Sequence, residues 1–120
     1  MVILSPLMDC IFCAIIKKQI PADVVFENDR IAAFRDTNPQ APVHILIVPK
    51  KHITSLDTID DADQAVLGEI QIVARDIARR ARIAEIGYRL VVNCGIAAGQ
   101  TVRHVHYHLL GGRKLLWPPG

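Results

Sequence analysis

Read as a string of apolar and polar positions, the chain switches between two periods. IFCAIIKKQI (11–20) is short and helix-compatible, and Pro21 stops it. DVVFE and RIAAFR are strand-like runs parted by Asn28-Asp29, which is turn chemistry suited to a hairpin. After the loop DTNPQAP (36–42), VHILIVP (43–49) is apolar on both faces, as expected of a central, doubly covered strand. The clearest helix is predicted over 59–82, with Thr58 and Asp61 as its capping box. Asp60, Asp61 and Asp63 open it and Arg75, Arg79, Arg80 and Arg82 close it, an order that suits the helix dipole. Val66, Ile70, Val73, Ile77 and Ala81 form its core-facing stripe. YRLVVN (88–93) and the run from Arg103 to Gly112 read as two further strands. A short helix, three strands, a long helix and two strands predict an antiparallel sheet packed on a long helix, an α+β fold.

The last of these strands carries the chemistry. RHVHYHLLGG places three of the chain's five histidines at strict alternation. On a strand, His104, His106 and His108 line one face, and Val105, Tyr107 and Leu109 the other. At ~3.3 Å per residue the outer two stand about 13 Å apart, so one straight strand cannot bring all three to a zinc ion with bonds near 2 Å. A pair at i, i+2 can share one with help from elsewhere. Interleaved Val, Tyr and Leu exclude an affinity or storage tract. Buried histidines satisfied by neighbours remain the structural alternative. Catalysis on a phosphate is the reading that uses three imidazoles on one face. A neutral imidazole attacks phosphorus, and flanking ones protonate a leaving group or donate to phosphate oxygens. Upstream, Gly95, Ala97, Ala98 and Gly99 allow close backbone approach, with Gln100 and Thr101 as polar contacts. That loop reads equally as a phosphate cradle or as a tight connection of small residues.

Composition narrows the class. A chain of 120 residues, 51% hydrophobic and 22% charged, suits one globular domain. A net charge of +2 implies no obligatory nucleic acid or anionic membrane, and the helix arginines read as a solvated terminus. No apolar run approaches a membrane span. MVILSPLM lacks a basic region and Asp9 interrupts it, so no secretory signal is expected. Residues 1–8 are expected as a short extension, 9–120 as a single domain, and the location as cytoplasmic. Of three cysteines, Cys10 and Cys13 form a C-x-x-C pair that suggests metal or redox chemistry, or simply two small buried thiols. Cys94 reads as a small residue beside the loop.

HVHYHLL matches the signature of the histidine-triad family. With FRDTNPQAPVHILIVPKKHI, GYRLVVNCG, GQTVRHVHYHLLGGRKLLWPPG and IFCAII, the chain resembles the Hint branch, the purine nucleoside phosphoramidases, over nearly its whole length after Met8. The resemblance implies a five-stranded antiparallel sheet with one long and one short helix, paired as a homodimer. It implies His106 as nucleophile, the His104 carbonyl setting its tautomer, and His108 at the phosphate. His52 would be the remote fourth histidine, and Thr101 a hydroxyl donor where relatives have serine. Asn93 and Gly99 would contact phosphate. Asp36 would take the ribose hydroxyls, although on sequence alone it is equally a turn residue. Phe12, Ile15 and Phe34 would form the base slot, and without the family would simply be core. Thr37 stands where close relatives have isoleucine, and Trp117 would come from the partner's tail. Some bacterial members with the cysteine pair bind zinc, implying a structural zinc on Cys10, Cys13, His52 and His104. No cofactor is implied for catalysis itself. The expected ligands are AMP or GMP, and the expected substrates AMP-linked phosphoramidates. His108 argues against the branches that carry glutamine there. A dinucleoside polyphosphate hydrolase, a nucleotide-binding regulatory protein and a zinc module without catalysis are the rivals.

Overall fold

A computed structural model describes residues 10–120; the expected extension over 1–8 lies outside the described residues. Helix α1 spans Ile11–Ile16, and strands β1 (Val24–Glu27), β2 (Ile31–Arg35) and β3 (Val43–Pro49) follow. Helix α2 (Gln64–Arg80) then leads to β4 (Tyr88–Val92) and β5 (Tyr107–Gly111). All five strands pair antiparallel in the order β1-β2-β3-β5-β4. This is the five-stranded sheet with a long and a short helix that the resemblance implied.

The hairpin between β1 and β2 turns on Asn28, whose side-chain oxygen accepts from the N–H of Arg30 and of Ile31, both at 2.8 Å. Strand β3 is covered on both sides, which explains its lack of alternation. Ile45 and Ile47 face α2 with Ile31, Ala33, Tyr107 and Leu109, against Ile70, Val73, Ala74, Ile77 and Ala78. Leu46 and Val48 face α1, in a second cluster with Phe12, Ile15, Ala32 and Phe34. Fully burying each large aliphatic residue contributes roughly 1.5–3 kcal/mol. His44 shares the α1 face with Leu46, because side chains two apart on a strand point the same way.

Both helices are shorter than the pattern suggests. Helix α2 starts at Gln64 rather than 59, because two 3₁₀ turns, Leu56–Thr58 and Asp61–Asp63, precede it. The Thr58 hydroxyl is engaged by Ser55, accepting from its N–H at 3.2 Å, and is not paired with Asp61. The box that forms joins Asp60 and Asp63: the Asp60 N–H donates to Asp63 Oδ2 at 3.0 Å. Its last turn ends at Arg80, with Arg82 left-handed at φ 60°, and Ala81 is exposed while Ala74 and Ala78 complete the buried stripe. Helix α1 stops at Ile16, before a left-handed Lys18 at φ 62°. Among the described residues, no helix is long and apolar enough to cross a membrane.

The histidine segment departs in an instructive way. The ladder of β5 begins only at Tyr107, so His104 and His106 precede the strand and His108 alone lies within it. The alternation nevertheless persists, with Val105, Tyr107 and Leu109 buried in the α2 core. Regular pairing gives way where partners outside the sheet ladder take the backbone groups. The His104 carbonyl accepts from the ring of His106, and the Val105 N–H donates to Ile53 O at 2.7 Å.

Candidate functional site

The imidazoles can be assigned tautomers from their backbone partners, because a carbonyl only accepts and an amide only donates. His106 Nδ1 lies 2.7 Å from the His104 carbonyl and must donate to it, which leaves the lone pair on Nε2. His106 is 5% exposed, with the Phe12 ring edge-on at 5.0 Å and the His108 ring at 5.0 Å. Strand register places His108 opposite Leu46 and therefore diagonal to His44 on the α1 face. His44 Nε2 and His108 Nδ1 are 2.9 Å apart. Burial, helped by the neighbouring His106 and His44, pushes His108 down to about 4. His44 is lowered as well, by burial against the opposing pull of Asp36. Both rings are therefore neutral at pH 7.

A second cluster forms where α1 meets the segment before β5. The Cys10 Sγ caps α1, accepting from the Cys13 N–H at 3.4 Å. Cys10 Sγ is 3.3 Å and Cys13 Sγ 3.6 Å from His104 Nδ1. His52 Nδ1 lies 3.2 Å from Cys13 Sγ and 3.2 Å from His104 Nδ1. Four donors bound tetrahedrally at zinc distances stand roughly 3.3–3.8 Å apart, so these separations fit a Cys₂His₂ set. The tautomer fits too: fully buried His104 donates from Nε2 to the Pro49 carbonyl at 2.8 Å, turning a bare Nδ1 toward the thiols. Burial holds His104 at about 4, and burial together with Cys10 raises the Cys13 thiol to about 11.

Asp36, His44 and His108 also place donor atoms within 4.8 Å of one another. Their hydrogen bonds disfavour a metal there. His44 Nδ1 accepts from the Gln40 N–H at 3.0 Å, so its Nε2 carries the proton and is a donor rather than a ligand. Asp36 acts as a turn residue, Oδ1 accepting from the Asn38 N–H at 2.8 Å, and also turns Oδ2 to His44 Nε2 at 3.4 Å.

Two of the remaining sequence-selected residues, Asn93 and Thr101, line separate openings. Asn93 joins His44, His108, Gln40 and Arg113 around a cleft of about 310 Å³. Thr101 lines a different cleft, about 580 Å³, with Cys10 and His52. Phe12, Ile15 and Phe34 are buried together, Phe12 and Phe34 with ring centroids 5.6 Å apart, while Thr37 is exposed. Gly99 takes φ 90°, which favours glycine, and Trp117 is 81% exposed on the tail. Gln100 does not present a free amide to a ligand. Its oxygen accepts from the Gly95 N–H at 2.9 Å, and its nitrogen donates to Thr54 O at 2.8 Å and Val102 O at 3.1 Å.

His44 is the residue that sequence reasoning missed. His52, expected both as the fourth histidine of the site and as a zinc ligand, sits with the thiols and His104, and the histidine bonded to His108 is His44. One polar residue in an otherwise apolar, doubly covered strand was the available signal. The Pro49 carbonyl and the Gln40 amide carry no sequence signal at all.

The chain is similar to known proteins along nearly its whole length. Residues 17–115 match the model of the HIT domain. An uncharacterised HIT-like protein of Synechococcus elongatus is 53% identical over 112 residues, 93% of this chain and 97% of that protein. A crystal structure of a HIT family hydrolase from Legionella pneumophila superposes with a TM-score of 0.92 at 51% identity, covering 93% of this chain and 100% of that one. A histidine triad nucleotide-binding protein from Candida albicans matches with a TM-score of 0.79 at 34% identity, covering 92% and 83% respectively.

Proposed function

The chain belongs to the HIT family, and we propose that it is a nucleotide-binding hydrolase that cleaves purine nucleoside phosphoramidates through a nucleotidyl-His106 intermediate. The observation that supports this most is the 2.7 Å bond from His106 Nδ1–H to the His104 carbonyl. It holds the Nε2 lone pair available and lets the carbonyl stabilise the positive charge that grows on the ring during attack.

In the proposed reaction His106 Nε2 attacks phosphorus and the P–N bond breaks. The amine leaves with a proton taken from solvent, and the His108 Nε2–H donates a hydrogen bond to the phosphate oxygen that gains charge. Water then attacks the nucleotidyl-histidine, the P–Nε2 bond breaks, and the nucleoside monophosphate departs. The proton lost by water returns to solvent, and His106 regains its Nε2 lone pair. Asn93, beside His108, serves the phosphate, and Asp36 serves the ribose hydroxyls with the oxygen that its turn leaves unused. AMP and GMP are the expected nucleotides. The chain is proposed to act as a cytoplasmic homodimer, with the partner's tail completing the leaving-group side.

Cys10, Cys13, His52 and His104 would hold a zinc ion, whose role when bound is structural: it ties α1 to the segment carrying His106. In that arrangement His52 is a scaffold residue, and His106, His108 and His44 remain for chemistry. The test is AMP release from adenosine 5′-phosphoramidate by the wild-type protein and by His106→Asn. Release by the wild type and its loss in the variant are expected. An inert wild type that still binds AMP would favour a regulatory nucleotide-binding role.

A further inference from the structure

We infer that the backbone N–H of Gln40, pinned by Arg113, sets the direction of the hydrogen-bond chain from His44 through His108 toward the phosphate, making Gln40 and Arg113 positioning residues for the reaction proposed above, on which this inference rests.

His44 is 6% exposed, and its two nitrogens keep different company. Nδ1 faces the Gln40 N–H at 3.0 Å; Nε2 faces His108 Nδ1 at 2.9 Å and Asp36 Oδ2 at 3.4 Å. A neutral imidazole has one N–H and one lone pair. Because the amide can only donate, the lone pair belongs on Nδ1 and the proton on Nε2. His44 then donates to His108 Nδ1, and the His108 proton is left on Nε2. With the opposite tautomer, the His44 Nε2 lone pair would face the Asp36 carboxylate and accept from His108 Nδ1–H. His108 Nε2 would then present a lone pair to an anionic phosphate oxygen. One backbone amide thus decides whether His108 meets the substrate as a donor or as an acceptor.

Two further bonds hold Gln40 in place. Arg113 Nε donates to its carbonyl at 3.0 Å, and its own side-chain amide donates to Asn38 O at 3.0 Å. The turn before Arg113 sits tightly against Pro42: a Cβ on Gly112, at φ 90°, would lie 2.9 Å from Pro42 Cβ. The segment after β5 and the loop between β2 and β3 are therefore fitted to each other.

Long-range ¹H–¹⁵N spectra of the histidine rings test this without turnover. The wild type should show His44 with a proton on Nε2 and a bare Nδ1. Gln40→Ala keeps the N–H and should keep that signature. Gln40→Pro removes the N–H while keeping the carbonyl; it should populate the other tautomer and lower kcat at least about tenfold below that of Gln40→Ala, with a smaller change in KM. Arg113→Ala, which frees the carbonyl of Gln40, should give a mixture of tautomers and covers the case that Gln40→Pro does not fold. A wild-type His44 protonated on Nδ1 overturns the proposal. So does an unchanged tautomer in both Gln40→Pro and Arg113→Ala, or a changed tautomer with kcat equal to that of Gln40→Ala. An inert wild type that keeps the Nε2–H signature would count against the phosphoramidase reading while supporting the tautomer assignment.

Discussion

Gln100→Ala removes one acceptor and two donors at once: the bonds to Gly95 N–H, Thr54 O and Val102 O. Gln100 thereby ties the small-residue loop to the segment after His52 and to the approach of His104. A neutral hydrogen bond contributes about 1 kcal/mol net, and water can reach part of this half-buried loop, so the expected loss is about 1–3 kcal/mol. For a chain of this size, 1 kcal/mol moves the melting temperature by about 3–5 °C, which predicts a fall of roughly 3–15 °C. Thermal melts without ligand, combined with steady-state nucleotide kinetics, read both consequences. Stability should drop and KM should rise together, because the cradle loses its support before any ligand arrives. Gln100→Glu keeps the acceptor for Gly95 but sets its second oxygen against the Thr54 and Val102 carbonyls, so it should melt no higher than alanine. A Gln100→Ala protein with unchanged ligand-free melting and a raised KM would refute the staple and make Gln100 a direct ligand contact.

Metal analysis should find about one zinc per chain, lost in Cys13→Ser, with chelation lowering the melting temperature of the wild type only; a metal-free protein indifferent to chelator would contradict the donor set. Glu27 accepts from Lys18 and Lys50, both at 2.7 Å, and the pairs lower it from 4.5 to about 2. A folded value below the unfolded one means its stabilisation is present above 4.5 and fades as pH falls toward about 2. Glu27→Gln should flatten the acid limb of the melting profile slightly, the pair being exposed, and a profile identical to wild type would exclude the contribution. A Cβ on buried Gly111 would lie 2.5 Å from Ile83 Cδ1 and 3.1 Å from Ile83 Cβ. Gly111→Ala should therefore cost about 1–3 kcal/mol in denaturant titrations, partly recovered by adding Ile83→Val; an unchanged midpoint would show the contact to be soft.

Much of the sheet was legible because its residues obey simple periods. The hairpin at Asn28, the doubly covered β3 and the buried stripe of α2 follow from turn chemistry and burial, which are local properties. The start of α2 was not legible, because Ser55 engages Thr58 and Asp60 engages Asp63, folding each pair into a 3₁₀ turn. The face carrying His104, His106 and His108 was legible from alternation, but the late start of β5 was not. It depends on a ring bonding to a carbonyl two residues away. His44 was hidden by its strand: register alone places it near His108, and register is a pairing property of two distant segments. The placing of His52 and His104 with the thiols, and of His44 with His108, is likewise set by the Pro49 carbonyl and the Gln40 amide, backbone groups with no side-chain signature.

The central claim is that His106 becomes covalently nucleotidylated. The direct measurement is rapid quenching of wild-type protein with adenosine 5′-phosphoramidate, followed by mass analysis of the peptide carrying residues 104–112. An adenylyl group on His106 that forms and decays at rates able to support turnover, and is missing in His106→Asn, is the predicted result. Turnover with no adduct on this peptide, or an adduct that persists in His106→Asn, would contradict the account.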